Sequence, residues 1–336
     1  MKIKTAVFLF IFYIVSMFSS TVCYAETIEH EVNVPPKILV LGDSIAAGYG
    51  LEGYSTDRYS CDSYANILHR EYDEELSEKC GNKLINSSVV GDTSEQLLEH
   101  LKNNEFDKDL KDSNAVIISI GGNDILGFFI DFLINDLGVN SETTKEELLE
   151  KTKDIMGIAM DMKRMSDDMD SALNGFGGRL NEIIENIKSK SNAQIIVQTL
   201  YDPLADFDEA FIFQSMSKDK ISRLNKIITD NAVDENGNER YLVADVYTEF
   251  DRLGTRLTNI MQYDIHPNAD GHTMIAACID KVVRSRTYSY EETVPDKKNT
   301  ANSLHTVLII SGTAGGTIII AAVALLISHN RKGHKV

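Results

Sequence analysis

Apolar runs of four to eight residues recur along this chain, each stopped by glycine or a polar turn residue. They alternate with stretches in which apolar residues return every three or four positions. The first run is Ile38-Leu39-Val40-Leu41, closed by Gly42-Asp43-Ser44. A continuous run, as opposed to an alternating one, predicts a strand covered on both faces, as in a parallel sheet. Further runs predict strands over 83–90, 115–120, 193–200 and 241–246. Between them, Tyr64, Ile67, Leu68 and Tyr72 share one face of a helix over 62–79, and Leu97, Leu98 and Leu101 share a face of the next. Thr93 and Gln96 have capping-box spacing at the start of that second helix, and 271–283 closes the pattern as another. Strands alternating with helices predict an α/β fold. The pattern predicts a parallel sheet of five strands with helices on both faces and strand-end loops converging on one rim.

The segment 125–192 breaks the pattern, being far longer than an ordinary crossover. It opens with Ile125, Leu126, Phe128, Phe129, Ile130, Phe132, Leu133 and Ile134, apolar nearly all round. Thr144 with Glu147 then predicts the start of a long helix bearing Met156, Met160, Met162, Met165 and Met169. An inserted helical hairpin whose methionines pack on the domain is the favoured reading, and a flap touching a ligand is the other.

The ends carry a different pattern. Met1-Lys2-Ile3-Lys4 is basic, 6–18 is almost wholly apolar, and Cys23-Tyr24-Ala25 ends in small residues at the positions a signal peptidase reads, so 1–25 reads as a secretory leader. A lipoprotein signal at Cys23 fits less well, since Val22 is large for such a site. A second apolar segment, 307–328, has no charged residue and the length of a bilayer core; with its approach from 304 it predicts a transmembrane helix. Arg331, Lys332 and Lys335 follow, placing the tail 329–336 in the cytoplasm and the domain 26–286 outside the cell membrane, joined by a polar stalk over 287–303. No Leu-Pro-x-Thr-Gly precedes the segment, which argues against cell-wall sorting.

Charge narrows the partners. The 336-residue chain carries a formal net charge of −18, and with Lys2, Lys4 and the three basic tail residues set aside, 28 basic residues face 51 acidic ones. Nucleic acid is an unsuitable partner for such a surface. Cys61 and Cys80 bracket a helix whose ends would lie roughly 25–30 Å apart, too far to bridge, and Cys278 falls in an apolar helix pattern, so no disulfide framework is expected. No His/Cys/Asp grouping has metal-ligand spacing and no glycine loop resembles a phosphate cradle, so no cofactor is expected.

Four strand-end loops each offer a group that acyl transfer requires: the Ser44 hydroxyl, the Gly91 backbone amide, the Asn123 side-chain amide and the His266 imidazole. A serine hydroxyl becomes an effective nucleophile when a neighbouring base takes its proton, and the tetrahedral oxyanion needs donors already aimed at it. In order, Gly42-Asp43-Ser44, Gly91-Asp92-Thr93, Gly121-Gly122-Asn123-Asp124 and the run from His266 to His272 resemble the blocks of the SGNH (GDSL) hydrolases, a family of esterases and lipases. The resemblance spans roughly 37–283. It implies a flavodoxin-like three-layer α/β/α sandwich around the five-stranded parallel sheet, Ser44 as nucleophile, His266 as base, and an oxyanion hole formed by the Ser44 and Gly91 amides with the Asn123 side chain. One departure stands out. The family's last block usually has Asp three residues before His; Tyr263 holds that position here, and Asp264 is only two before His266. Residues two apart are not neighbours on a helical turn, so this spacing predicts that Asp264 falls short of the imidazole, leaving a Ser-His dyad oriented by a backbone carbonyl, with Asp264 retained as the candidate third member.

These observations predict a membrane-anchored, extracytoplasmic serine esterase or lipase acting on a small or lipid acyl ester. A carbohydrate O-deacetylase or O-acyltransferase of surface glycans, and a non-catalytic binding module on the same scaffold, are the alternatives. Asp43 and Asp124 are expected to serve turns and networks.

Overall fold

The computed structural model describes residues 25–295, apart from 56, 139, 141–142, 145, 148–149, 152–154, 207–210 and 263. Residues 30–290 form one compact unit, and the described residues 25–29 and 291–295 fall outside it. The strands are β1 (Ala25–Val32), β2 (Lys37–Gly42), β3 (Lys83–Asn86), β4 (Ala115–Ser119), β5 (Gln194–Gln198), β6 (Leu242–Ala244) and β7 (Tyr288–Pro295). Five of them, in the order β3-β2-β4-β5-β6, make an all-parallel sheet. Numbered among themselves they run 2-1-3-4-5, the flavodoxin-like order, in which sites form outside the carboxyl ends of the strands. β1 pairs with β7 in a separate two-stranded sheet, so the first part of the expected stalk is a strand, and Tyr288 at its start is buried.

The helices are α1 (Tyr64–Glu75), α2 (Ser94–Lys102), α3 (Asp107–Asp112), α4 (Gly122–Asp131), α5 (Ile155–Lys190), α6 (Phe211–Asp230) and α7 (Ala269–Val283). Two-residue periodicity sorts the strands between two cores. Ile38, Val40, Ala115, Ile117 and Ile196 pack with Tyr64, Leu68 and Tyr72 of α1 and Ile275 and Ile279 of α7. Leu39, Leu41, Val116, Ile118, Ile195 and Val197 face the other way, against Leu97 and Leu101 of α2, Phe176, Leu180 and Ile183 of α5, and Leu224 and Ile228 of α6. The central positions of β2, β4 and β5 are therefore continuously apolar because both faces are covered.

Local chemistry sets the boundaries. Thr93 and Gln96 form the expected capping box at α2, and Thr144 and Glu147 exchange the same pair of bonds at 2.9 and 3.2 Å. β3 stops at Asn86, short of the expected 90, because the Asn86 carboxamide turns back to accept from Ser88 N at 3.2 Å. The edge of β2 is still occupied, since Ser87 N and Val89 N donate to Val40 O and Gly42 O, each at 2.9 Å.

The segment 125–192 packs on the domain, and its long helix enters the core. α4 begins at the Asn123 loop and passes into a π-helical turn over Phe132–Asp136; α5, 36 residues long, is at its far end the crossover helix that delivers the chain to β5. Met165 and Met169 are buried in the core, Met162 packs against it, and Met160 is 85% exposed. Cys61, Cys80 and Cys278 are free and buried. Among the described residues no helix is long and apolar enough to cross a membrane. The expected span at 304–328, the tail, and the expected leader apart from Ala25 lie outside the described residues.

Candidate active site

Ser44 stands where β2 ends. Gly42 has φ +145 and lies under the Ser119 carbonyl of β4: a Cβ there would sit 2.0 Å from that oxygen, so only glycine fits. Asp43 N donates to the same carbonyl at 3.1 Å, fixing the turn to the neighbouring strand. The Asp43 carboxylate then caps the single helical turn Ser44–Ala47 by accepting from Ile45 N at 3.0 Å. Burial pushes the Asp43 carboxyl up to about 7; the amides of Ile45 and Ala46 pull against that, and nearby Asp124 adds to it. Asp43 thus serves a turn, as expected.

His266 Nε2 lies 2.9 Å from Ser44 Oγ, and the Asp264 carboxylate meets His266 Nδ1. The spacing argument therefore fails at Asp264, and the reason is local. Residues 264–266 are not helical; Asp264 Oδ1 accepts from His266 N at 3.0 Å in an Asx turn, which folds the carboxylate back beside the imidazole of the same residue. The loop is held from several sides. Asn259 N donates to His266 O at 3.0 Å, Tyr201 Oη donates to Ile265 O at 2.8 Å, Pro267 bridges to Thr258, and Asn268 caps α7. Tyr49 covers the imidazole, with ring centroids 5.0 Å apart. His272, the other histidine of this block, is fully buried; its Nδ1 accepts from Tyr64 N at 3.2 Å, and burial pushes its imidazole down to about 3.

Asn123 opens α4 and donates from Nδ2 to Asp92 O at 2.9 Å, leaving the second hydrogen of that amide available. Gly91 sits in the turn before α2 with φ +91, in open space on its Cβ side. Among the described residues neither the Ser44 nor the Gly91 amide donates a hydrogen bond. Ser44, Asn123 and His266 line one cavity; Gly91 stands outside its wall. Asp124 is indeed a network residue: it accepts from Ser94 N at 2.8 Å, Ser94 Oγ at 2.5 Å and Arg179 Nη2 at 2.9 Å, tying α2, α4 and α5 beneath the Asn123 loop.

The cavity has a volume of about 230 Å³. From Ser44 and His266 it runs between α4, α5 and α6, with Ile125, Phe129, Leu133, Met169, Phe213 and Met216 in its wall. The segment 125–192 therefore does both things weighed for it, residue by residue: Phe132 and Met165 are core, whereas Phe129, Leu133 and Met169 also face the cavity. At one side Lys220, 4% exposed, is held by Asp170, which it shares with Arg223. Among the described residues no group of three or more His, Cys, Asp or Glu is placed to hold a metal.

Sequence reasoning missed Arg179 and Tyr201. Arg179 had a visible signal: it lies three residues after Phe176 and four before Ile183, on the apolar stripe of α5, where an arginine needs a buried carboxylate. Tyr201 gave none, since its partner is the Ile265 backbone.

A family model described as GDSL-like Lipase/Acylhydrolase family matches residues 40–274. Among solved structures, the lipase Lip_vut3 from goat rumen metagenome has a TM-score of 0.53 and 17% identity, with 73% of this chain and 96% of that one covered. A catalytic mutant of the acetylxylan esterase Axe2 from Geobacillus stearothermophilus has a TM-score of 0.46 and 15% identity, covering 74% and 94%. A member of the lipolytic G-D-S-L family from Veillonella parvula DSM 2008 has a TM-score of 0.45 and 17% identity, covering 73% and 97%. No curated protein matches the chain. The likeness to Lip_vut3 concerns the fold.

Proposed function

Since this chain belongs to the GDSL-like lipase/acylhydrolase family, we propose that Ser44, His266 and Asp264 are its catalytic triad and that it cleaves carboxylic esters through an acyl-enzyme. The observation carrying this reading is the line Asp264 carboxylate, His266 imidazole, Ser44 hydroxyl, with 2.9 Å at its last step, opening on an apolar cavity. Ser44 Oγ attacks the ester carbonyl carbon as its proton passes to His266 Nε2. The carbonyl oxygen becomes an oxyanion, accepted by the Ser44 and Gly91 amides and the free hydrogen of Asn123 Nδ2. Collapse breaks the bond to the alcohol oxygen, which takes the proton from His266, leaving Ser44 acylated. Water then repeats the sequence, giving its proton to His266 and releasing the acid. Asp264 keeps Nδ1 protonated and Nε2 free to accept, and it faces the positive charge that builds on the ring.

The cavity wall supports an acyl chain longer than acetyl, since a largely apolar pocket gains from each methylene it takes out of water. This favours a lipase-like substrate over an acetylated glycan. The basic start and apolar leader at 1–25, and the apolar segment before Arg331 and Lys332, support an exported enzyme held in the membrane by its C-terminus.

Ser44→Ala tests the core of this reading. It should lower hydrolysis of p-nitrophenyl esters roughly 10⁴-fold or more and abolish labelling by a fluorophosphonate, with the circular dichroism spectrum unchanged. Labelling at the wild-type rate would place the nucleophile at another residue.

A further inference from the structure

Each loop that supplies a catalytic group also exposes a large apolar side chain within five residues of it. Tyr49, 43% exposed, follows Ser44; Val89 and Val90, at 41% and 44%, precede Gly91; Phe128, at 36%, follows Asn123; and Met261, at 53%, precedes Asp264. Single exposed apolar residues need no explanation, but five from four loops of one rim do. That they share the rim follows from the topology, because all four loops leave the carboxyl ends of parallel strands, or lead into the helix after one. Hydrogen bonds and ring contacts draw them together. Val89 N is bonded to Gly42 O at 2.9 Å, beside the Ser44 turn, and the Tyr49 ring rests on His266. Phe128 lies on α4 between Leu126 and Phe129, which line the cavity, and Met261 lies next to Ile260, which does too.

Apolar residues of the cavity wall are thus neighbours in the chain of apolar residues at the surface, Leu126 and Phe129 of Phe128, and Ile260 of Met261. Side chains exposed beside the groups that meet the substrate are placed to meet whatever presents it. An acidic chain, at a formal −18, is repelled by an anionic surface. From these observations, and resting on the esterase reading above, we infer that the rim is a docking surface for a neutral or zwitterionic lipid interface, from which the acyl ester is drawn directly into the cavity. An apolar face of this kind partitions into the boundary between headgroups and acyl chains, and its strength scales with the apolar area it buries there. The device selects how the ester is presented, as an aggregate, in addition to what the ester is.

The test compares the full wild-type chain with a full chain carrying Val89→Ser, Val90→Ser and Met261→Ser, none of which lines the cavity. Both chains share the same ends, so any adsorption through those cancels. The first readout is the maximal insertion pressure into a phosphatidylcholine monolayer. The second is hydrolysis of p-nitrophenyl butyrate, dissolved below its solubility limit, against hydrolysis of a tributyrin emulsion. The variant should insert at a clearly lower pressure and lose roughly tenfold or more on the emulsion, while kcat/KM on the dissolved ester stays within about twofold. Unchanged insertion pressure, or an equal fall on dissolved and emulsified ester, would overturn the inference. A wild type that inserts more strongly than the variant but hydrolyses neither ester would leave the surface standing and sink the esterase reading.

Discussion

A carboxylate held by an Asx turn to the backbone of the residue whose ring it orients has little freedom to stray, because His266 N and His266 Nδ1 bind the same Asp264 oxygen. Asp264→Asn should therefore cost about 10³–10⁴ in kcat, approaching the loss for His266→Ala. Steady-state kinetics on a dissolved ester decides it, and a loss under tenfold would mean that the backbone alone orients the ring. Asp43 gives a different prediction. Its carboxyl titrates near 7 when folded, against 3.8 ordinarily, so the folded state holds an extra proton between those values. The stability this residue contributes is complete below about pH 4 and is lost as pH rises towards 7. Asn caps a helix as well as Asp does. Asp43→Asn should thus leave Tm unchanged at pH 4 and raise it at pH 8. The acid-side decline should persist in the variant, because His272, pushed down to about 3 from 6.5, loses its contribution as pH falls between those values. A variant whose Tm follows the wild type at every pH would refute the argument. The blocks around Ser44, Gly91 and Asn123 were legible because each follows a strand, and that around His266 because it leads into a helix. The reach of Asp264 was not, because a rule for helical neighbours does not hold in an Asx turn.

At the scale of elements, the question is what α4 and the long helix α5 do for the substrate. Phe129 and Leu133 face the cavity from α4 and the π-helical turn, whereas Leu173, Phe176 and Leu180 of α5 are buried in the core. Deleting 140–174 would remove Met165, Met169 and Leu173 from that core, so point substitutions are the sharper probe. For the wild type, kcat/KM should rise several-fold with each two carbons added to the acyl chain, then level off as the cavity fills, each methylene being worth up to ~0.8 kcal/mol. Phe129→Ala and Leu133→Ala should flatten that rise and keep acetate ester rates within about threefold. A wild type that prefers acetate would remove the acyl role from the cavity and favour the glycan deacetylase reading. Beneath the same elements, Arg179→Met leaves Asp124 buried without its cation and should cost about 3 kcal/mol in urea unfolding. The five strands and α1, α2 and α7 were readable from periodicity, since burial on both faces forces continuous apolar runs; α3 and α6 were not read. That Met165 and Met169 of the segment 125–192 pack on the domain was legible too, whereas the double duty of α5 was not, because a helix that begins in an insertion and ends as a crossover shows one unbroken period.

For the whole molecule, the expected topology makes a sharp prediction about access. β7 ends at Pro295, so the linker left between the folded strand and the expected span at 304 is short and polar. Protease added to intact cells should cut there and release an active fragment into the medium; a chain protected from protease, with an accessible C-terminal tail, would invert the topology. A second consequence belongs to the buried sulfur atoms. Cys61, Cys80 and Cys278 are 1%, 5% and 7% exposed, so an alkylating reagent reaches none of them while the domain is closed, and burial also pushes the Cys278 thiol up to about 11. The domain consequently carries its own clock: the rate at which each thiol is modified under native conditions measures how often its surroundings open, with Cys61 reporting the loop before α1 and Cys278 the helix α7. The remaining cysteine, Cys23, falls within the expected leader. A processed chain should therefore show three slow thiols and no fourth, which a thiol count after complete unfolding checks.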